Sequence, residues 1–179
     1  EQAVVGMKRR RLATLLGHDI SLLAYHLPLD AHPTLGNNAR LGELLGLQDH
    51  RPLQSGGEGV GNIAELPTEL PVSELLAALR RITGREPLHI AADVAGVRHI
   101  AWCTGAAQGY IEAAVAAGAD VFITGEASEQ TVHIAREEGI HFIAAGHHAT
   151  ERYGVQAVAE QVAQEFSLQH RFIDIDNPV

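Results

Sequence analysis

The sequence predicts an α/β fold, a mostly parallel sheet flanked by helices. Three observations carry that reading. Short apolar runs alternate with helical periodicities through the second half of the chain. Glycine and serine punctuate the boundaries between them. Polar residues collect where the predicted strands end.

The elements follow in order. HIAWCTG (99–105) is a short apolar run ending in Thr-Gly, and QGYIEAAVAAGAD (108–120) has helical spacing. VFITGE (121–126) is a second strand. SEQTVHIAREEG (128–139) is a helix that opens at Ser128 and stops at Gly139. HFIAAGHH (141–148) is a third strand. From Thr150 to Phe166 the apolar residues Val155, Val158, Val162 and Phe166 form the stripe of an amphipathic helix. RFIDI (171–175) is a last strand.

The first half is less regular. DISLLAYH (19–26) reads as a strand, PLDAHPTLGNN (28–38) as a turn-rich loop, and 38–47 as a short helix. Residues 48–70 read as a flexible loop or hairpin. Their Gly56, Gly57, Gly59 and Gly61 do not make the pattern of a phosphate loop. PVSELLAALRRITG (71–84) is a helix with Pro71 or Ser73 at its start and Gly84 at its end.

Composition narrows the function classes. The 179 residues allow one or at most two domains, and 46% hydrophobic content is enough for a real core. A formal net charge of −9 argues against nucleic acid and acidic membranes as partners. The run Lys8-Arg9-Arg10-Arg11 reads as a solvated helix face. The single cysteine, Cys103, excludes an internal disulfide and reads as a buried core residue, with a nucleophile as the alternative. No stretch is long and apolar enough to span a membrane and no signal peptide is visible, so a cytoplasmic location is expected. The chain opens on Glu1 rather than Met, within sequence that reads as structured, and is expected to be a piece or product of a longer one.

In open α/β sheets, ligands bind beyond the C-terminal ends of the strands. That rule selects His26 and Asp30, then Thr104 and Gly105, then Glu126, then His147 and His148. His147 and Glu151 stand four apart at a helix start and share one face. Imidazole with carboxylate suits Zn, Fe, Mn, Co or Ni. A first-turn carboxylate is also favoured by the helix dipole, so Glu151 fits a capping role as well. Asp30 reads as a bridging carboxylate or as an Asx turn. Glu126 is a candidate general acid or base, or a group behind a ligand. His133 either points toward the site or lies on an exposed helix face. His99, His141 and His170 precede strands at the opposite end and read as structural. No GxSxG or Ser-His-Asp arrangement occurs.

GMKRRRL, YHLPLDAHPTLGNNARL, AWCTGAAQ, FITGEASEQTVHIA and AAGHHATERYG together resemble the GTP cyclohydrolase 1 type 2 homologue family, also called NIF-three-like proteins. The resemblance is closest to the short bacterial members and runs over nearly the whole chain. It implies two related lobes with a dinuclear metal centre in the cleft between them, residues 48–70 connecting the lobes, and a ring-like homohexamer. It also implies Asp30, His147 and Glu151 as metal ligands, with His26 as a weaker neighbouring candidate. The family's His-His-Gly motif, which supplies further ligands, falls ahead of the segment matching GMKRR and is not in these residues. Residues 1–179 are therefore expected to form one NIF-three-like unit that lacks its N-terminal part, with two divalent ions per complete subunit.

Three functions follow. The first is a metal-dependent hydrolase of an unknown small molecule, a cyclohydrolase being one version. In it two cations about 3.5–4 Å apart activate water. Asp30 and Glu151 anchor or bridge, His147 ligates, and Glu126 or His133 moves a proton. The second is a non-catalytic metal-handling protein or ring-shaped scaffold. The third is a di-iron oxidoreductase.

Overall fold

The computed structural model describes residues 3–47, 49–54 and 59–179. Its helices are α1 (Gly6–Gly17), α2 (Leu27–Asp30), α3 (Asn37–Leu44), α4 (Val72–Thr83), α5 (Ile111–Ala116), α6 (Glu129–Glu138) and α7 (His147–Phe166). The strands are β1 (His50–Pro52), β2 (Asn62–Pro71), β3 (Leu88–Ile90), β4 (Gly96–Trp102), β5 (Val121–Thr124) and β6 (His141–Ala144). They form one six-stranded sheet in the order β1-β2-β4-β5-β6-β3.

The centre of that sheet is parallel. β4 pairs with β5 through Ile100↔Val121, and β5 with β6 through Val121↔His141. Every residue of β5 and β6 is buried, as expected of strands covered on both faces. Side chains alternate between the faces. Val121, Ile123 and Ile143 meet Leu41 of α3 and Leu75 and Leu79 of α4 on one side. Phe122 and Phe142 meet Ile111 and Ala114 of α5 and Ala135 of α6 on the other. The result is a three-layer α/β sandwich.

The expectation of a mostly parallel sheet is corrected to a mixed one. β1–β2, β2–β4 and β3–β6 are antiparallel. The flanking strands come from segments whose local pattern was weak, and distant partners fix their direction. β2 pairs with β4 from Asn62↔Trp102 to Pro71↔Gly96. Residues 48–70 thus hold β1 and most of β2, while 48 and 55–58, with Gly56 and Gly57, lie outside the described residues.

Two predicted strands are absent. Residues 19–26 are exposed and pair with nothing in the sheet, and 171–175 are exposed beside α7. Both have strand-like composition but no ladder partner, and strand propensity without a partner decides little. The predicted loop 28–38 holds the end of α2, a short turn of helix with Pro28 at its start, where proline costs nothing.

The stops were legible. α4 ends at Gly84 and α6 at Gly139, with φ of 75° and 66°. The 108–120 helix is shorter than expected, a 3-10 turn at Gln108–Tyr110 followed by α5. α7 begins at His147, three residues earlier than Thr150, which places His147 and Glu151 within its first turns. No helix among the described residues is long and apolar enough to cross a membrane.

Candidate metal centre

β4, β5 and β6 run in the same direction, so the residues that follow them emerge at one edge. The three segments are laced together there. The Gly125 N–H donates to Gly105 O at 2.9 Å, and the Gly146 N–H to Gly125 O at 2.9 Å. The Thr124 hydroxyl donates to Gly105 O at 3.1 Å. The Gly105 N–H donates to the Thr150 hydroxyl of α7 at 3.1 Å, and that hydroxyl donates in turn to Gly146 O at 2.9 Å.

Gly105 has φ +72°, and a Cβ there would lie 1.9 Å from Glu151 Oε1. Glycine is needed both for the left-handed backbone and for the approach of the carboxylate.

This lattice sets His147 between two carboxylates. Its Nδ1 lies 2.5 Å from Glu126 Oε1 and its Nε2 3.0 Å from Glu151 Oε2. Burial works to lower the His147 pKa. The hydrogen bonds and charges of Glu126 and Glu151 outweigh it and hold the imidazole above its usual range. Glu151 is raised, first by burial and then by the charge of Asp30, against the lowering pull of His147 and His26.

Asp30 reaches this edge from α2 and is 7% exposed. Asn37 secures it, donating from Nδ2 to Asp30 Oδ1 at 2.7 Å while its Oδ1 accepts the Gly154 N–H of α7 at 2.8 Å. One amide thus ties Asp30 to the helix that carries Glu151. Asn38 anchors the same corner to the sheet. Its Nδ2 donates to Asp30 O at 3.2 Å, its Oδ1 accepts the Thr104 N–H at 2.9 Å, and its backbone O accepts the Trp102 indole N–H at 2.8 Å. Spacing arguments missed both asparagines. The available signal was a polar Asn-Asn pair opening a helix whose next turn, at Leu41, is apolar.

A cavity of about 430 Å³ is lined by His26, Asp30, Asn37 and Glu151. His26 is exposed at the start of α2, on the wall of that cavity. His133 lies on the exposed face of α6 and has no hydrogen bond to the other site residues among the described contacts. His148 turns away to Asp174 at 2.8 Å. His141 is structural as expected, its Nδ1 accepting the Ala92 N–H at 3.1 Å and its Nε2 donating to Val94 O at 2.8 Å. Cys103 is 1% exposed, a core residue as expected.

The donor chemistry fits a divalent cation. Asp30, which is buried, and Glu151, which is half-buried, share a cavity. Among the described residues neither is paired with a lysine or arginine, whereas every ion pair to an arginine goes to Glu43, Glu65, Glu86 or Asp174. Burying carboxylate charge without a compensating cation is costly. The shell is incomplete, since no three His, Cys, Asp or Glu side chains among the described residues converge closely enough to hold an ion alone.

Fold and donor set together define an α/β protein with a carboxylate–imidazole corner at the C-terminal edge of its parallel strands. The chain belongs to the Duf34/NIF3 (NGG1p interacting factor 3) family, whose model matches residues 1–178. It is 54% identical over 176 residues to a GTP cyclohydrolase 1 type 2 homolog of Pseudomonas aeruginosa, covering 98% of this chain and 69% of that one. Among solved structures, protein ybgI, described as of unknown function, superposes with a TM-score of 0.92 at 47% identity, over 100% of this chain and 71% of that one. TTHA1606 from Thermus thermophilus superposes at 0.89 with 32% identity, again over 100% and 71%.

Proposed function

We propose that Asp30, His147 and Glu151 hold divalent metal at this corner and that the protein is a metal-dependent hydrolase of a small molecule. The observation that carries the reading is that the buried Asp30 and the half-buried Glu151 line one cavity with no lysine or arginine paired to either among the described residues. Bound there, divalent ions would supply Lewis acidity and a water acidic enough to react near neutral pH.

The chain's own residues prepare that chemistry. Glu126 holds His147 Nδ1, which orients the ring and leaves Nε2 to face Glu151. Asn37 fixes Asp30 against α7. Glu151 faces the same cavity as Asp30 and would be the second carboxylate donor. His26 lines the cavity mouth and is the weaker fourth donor.

The sheet described above would form the greater part of a two-lobed, cytoplasmic subunit, with the metal in the cleft between the lobes and two ions when the ligand set is complete. Self-association, a ring-like hexamer by family resemblance, suits the many apolar side chains left exposed along residues 4–27, Leu16, Leu22, Leu23 and Tyr25 among them.

Metal-stripped full-length protein tests the catalytic claim. Re-addition of Zn, Mn, Fe, Co or Ni salts should restore hydrolysis of at least one compound in a panel of nucleotides, phosphodiesters and cyclic amides, and Glu151→Gln should abolish it. Activity that survives both metal removal and Glu151→Gln would sink the reading.

A further inference from the structure

A second cavity, of about 460 Å³, is lined by Glu126 and by Gly146, the residue before His147. Glu151 lines the first cavity and Glu126 the second, and both carboxylates are hydrogen-bonded to His147. Arg85, Glu86, Leu88 and Val179 also line the second cavity.

Its charges are unequal in their pairing. Glu126 is bonded to His147, and Glu86 pairs with Arg80 at 3.2 Å. Arg85 has no ion pair among the described residues, and its Nη1 is buried with no acceptor. A guanidinium is an obligate cation with a fork of donors, and an unmet buried donor is costly.

The backbone is shaped around this group. Gly146 has φ +100°, and a Cβ there would lie 2.6 Å from Arg85 Nη1 and 2.9 Å from its Cδ. The arginine therefore packs directly on the residue before His147. Gly146 also opens α7, a helix of 20 residues whose N-terminal end favours negative charge. One oxygen already uses that end, since the His148 N–H donates to Val179 O at 3.0 Å.

We propose that the Arg85 cavity is an oxyanion subsite, taking one carboxylate or phosphate group on the guanidinium. It is separate from the carboxylate-lined metal cavity. A single guanidinium with no lysine beside it suits one oxyanion and provides no clamp for a triphosphate.

Titration of full-length protein with inorganic phosphate and with acetate, in the presence of a chelator, tests this directly. Binding of either probe is expected. Arg85→Gln should weaken it at least about tenfold, the scale of losing a charge-assisted bond, while Asp30→Ala/Glu151→Ala leaves it unchanged. Preference for phosphate or for acetate identifies the group the subsite is built for. If Arg85→Gln fails to fold by circular dichroism, Arg85→Lys keeps the charge and loses the fork, and should still bind several-fold more weakly. No binding of either probe, or binding indifferent to both Arg85 variants, overturns the proposal. So does binding that disappears only in the Asp30/Glu151 variant. Metal binding lost with phosphate binding intact would count against the metal centre and leave this subsite standing.

Discussion

At the residue scale, the corner depends on groups that would touch no metal themselves. Glu126 is the clearest. Its place at a strand end made it a general acid or base or a group behind a ligand, and its bond to His147 Nδ1 fits a positioning role. Glu126→Gln keeps the shape and removes the charge that makes the imidazole a better donor. Metal affinity should fall about 10–100-fold with the fold intact, a change that isothermal titration with Zn or Mn would read; unchanged affinity would remove Glu126 from the site. Cys103 gives the opposite kind of prediction. Burial, followed by the charges of Asp30 and Glu151, pushes its thiol up to about 12. The thiolate is the reactive form. A thiol reagent at about pH 8 should therefore leave native protein unlabelled and react after denaturation, whereas rapid labelling of the native state would reopen the nucleophile reading.

At the scale of elements, β3 and β6 bring two histidines together. His89 Nε2 lies 3.0 Å from His141 Nδ1, with the rings stacked at 5.2 Å. Burial first, and His141 second, hold His89 below its ordinary 6.5. The unfolded chain takes up a proton near that value, and the folded chain resists it until lower pH. This contribution to stability is thus complete above pH 6.5 and is lost as pH falls toward the folded value. Urea midpoints should drop between about pH 7.5 and about pH 5, and His89→Gln should flatten the drop; equal slopes in both proteins would contradict it.

Elements also show what could be read in advance. α6 was legible from Ser128 and Gly139, and α4 from its apolar spacing and Gly84, because capping and periodicity are local. The strand assigned to 19–26 failed because apolar alternation cannot supply a partner. The antiparallel flanks were hidden for the converse reason, since β2 owes its direction to β4, some thirty residues away. At the site, His147 and Glu151 were visible as a helical pair. From the residues alone Asp30 was visible as a polar residue after a supposed strand that does not form, the family resemblance singled it out as a ligand, and its support comes from Asn37 and Asn38.

At the scale of the whole molecule, three parallel strands deliver their following residues to one edge. Helices on both faces hold that edge rigid, and α7 swings Glu151 back over the Thr104–Gly105 turn. The chain spans 69% of the length of its Pseudomonas relative and belongs with it in the Duf34/NIF3 family. The central claim is that Asp30, His147 and Glu151 are metal donors. Elemental analysis of full-length protein, purified without a nickel column, tests it most directly beside the Asp30→Ala/Glu151→Ala variant. The account predicts divalent metal at stoichiometric level in the wild type and its loss from a variant that still folds. Equal metal content in the two proteins, or a wild type without metal that takes up none on titration, would contradict it.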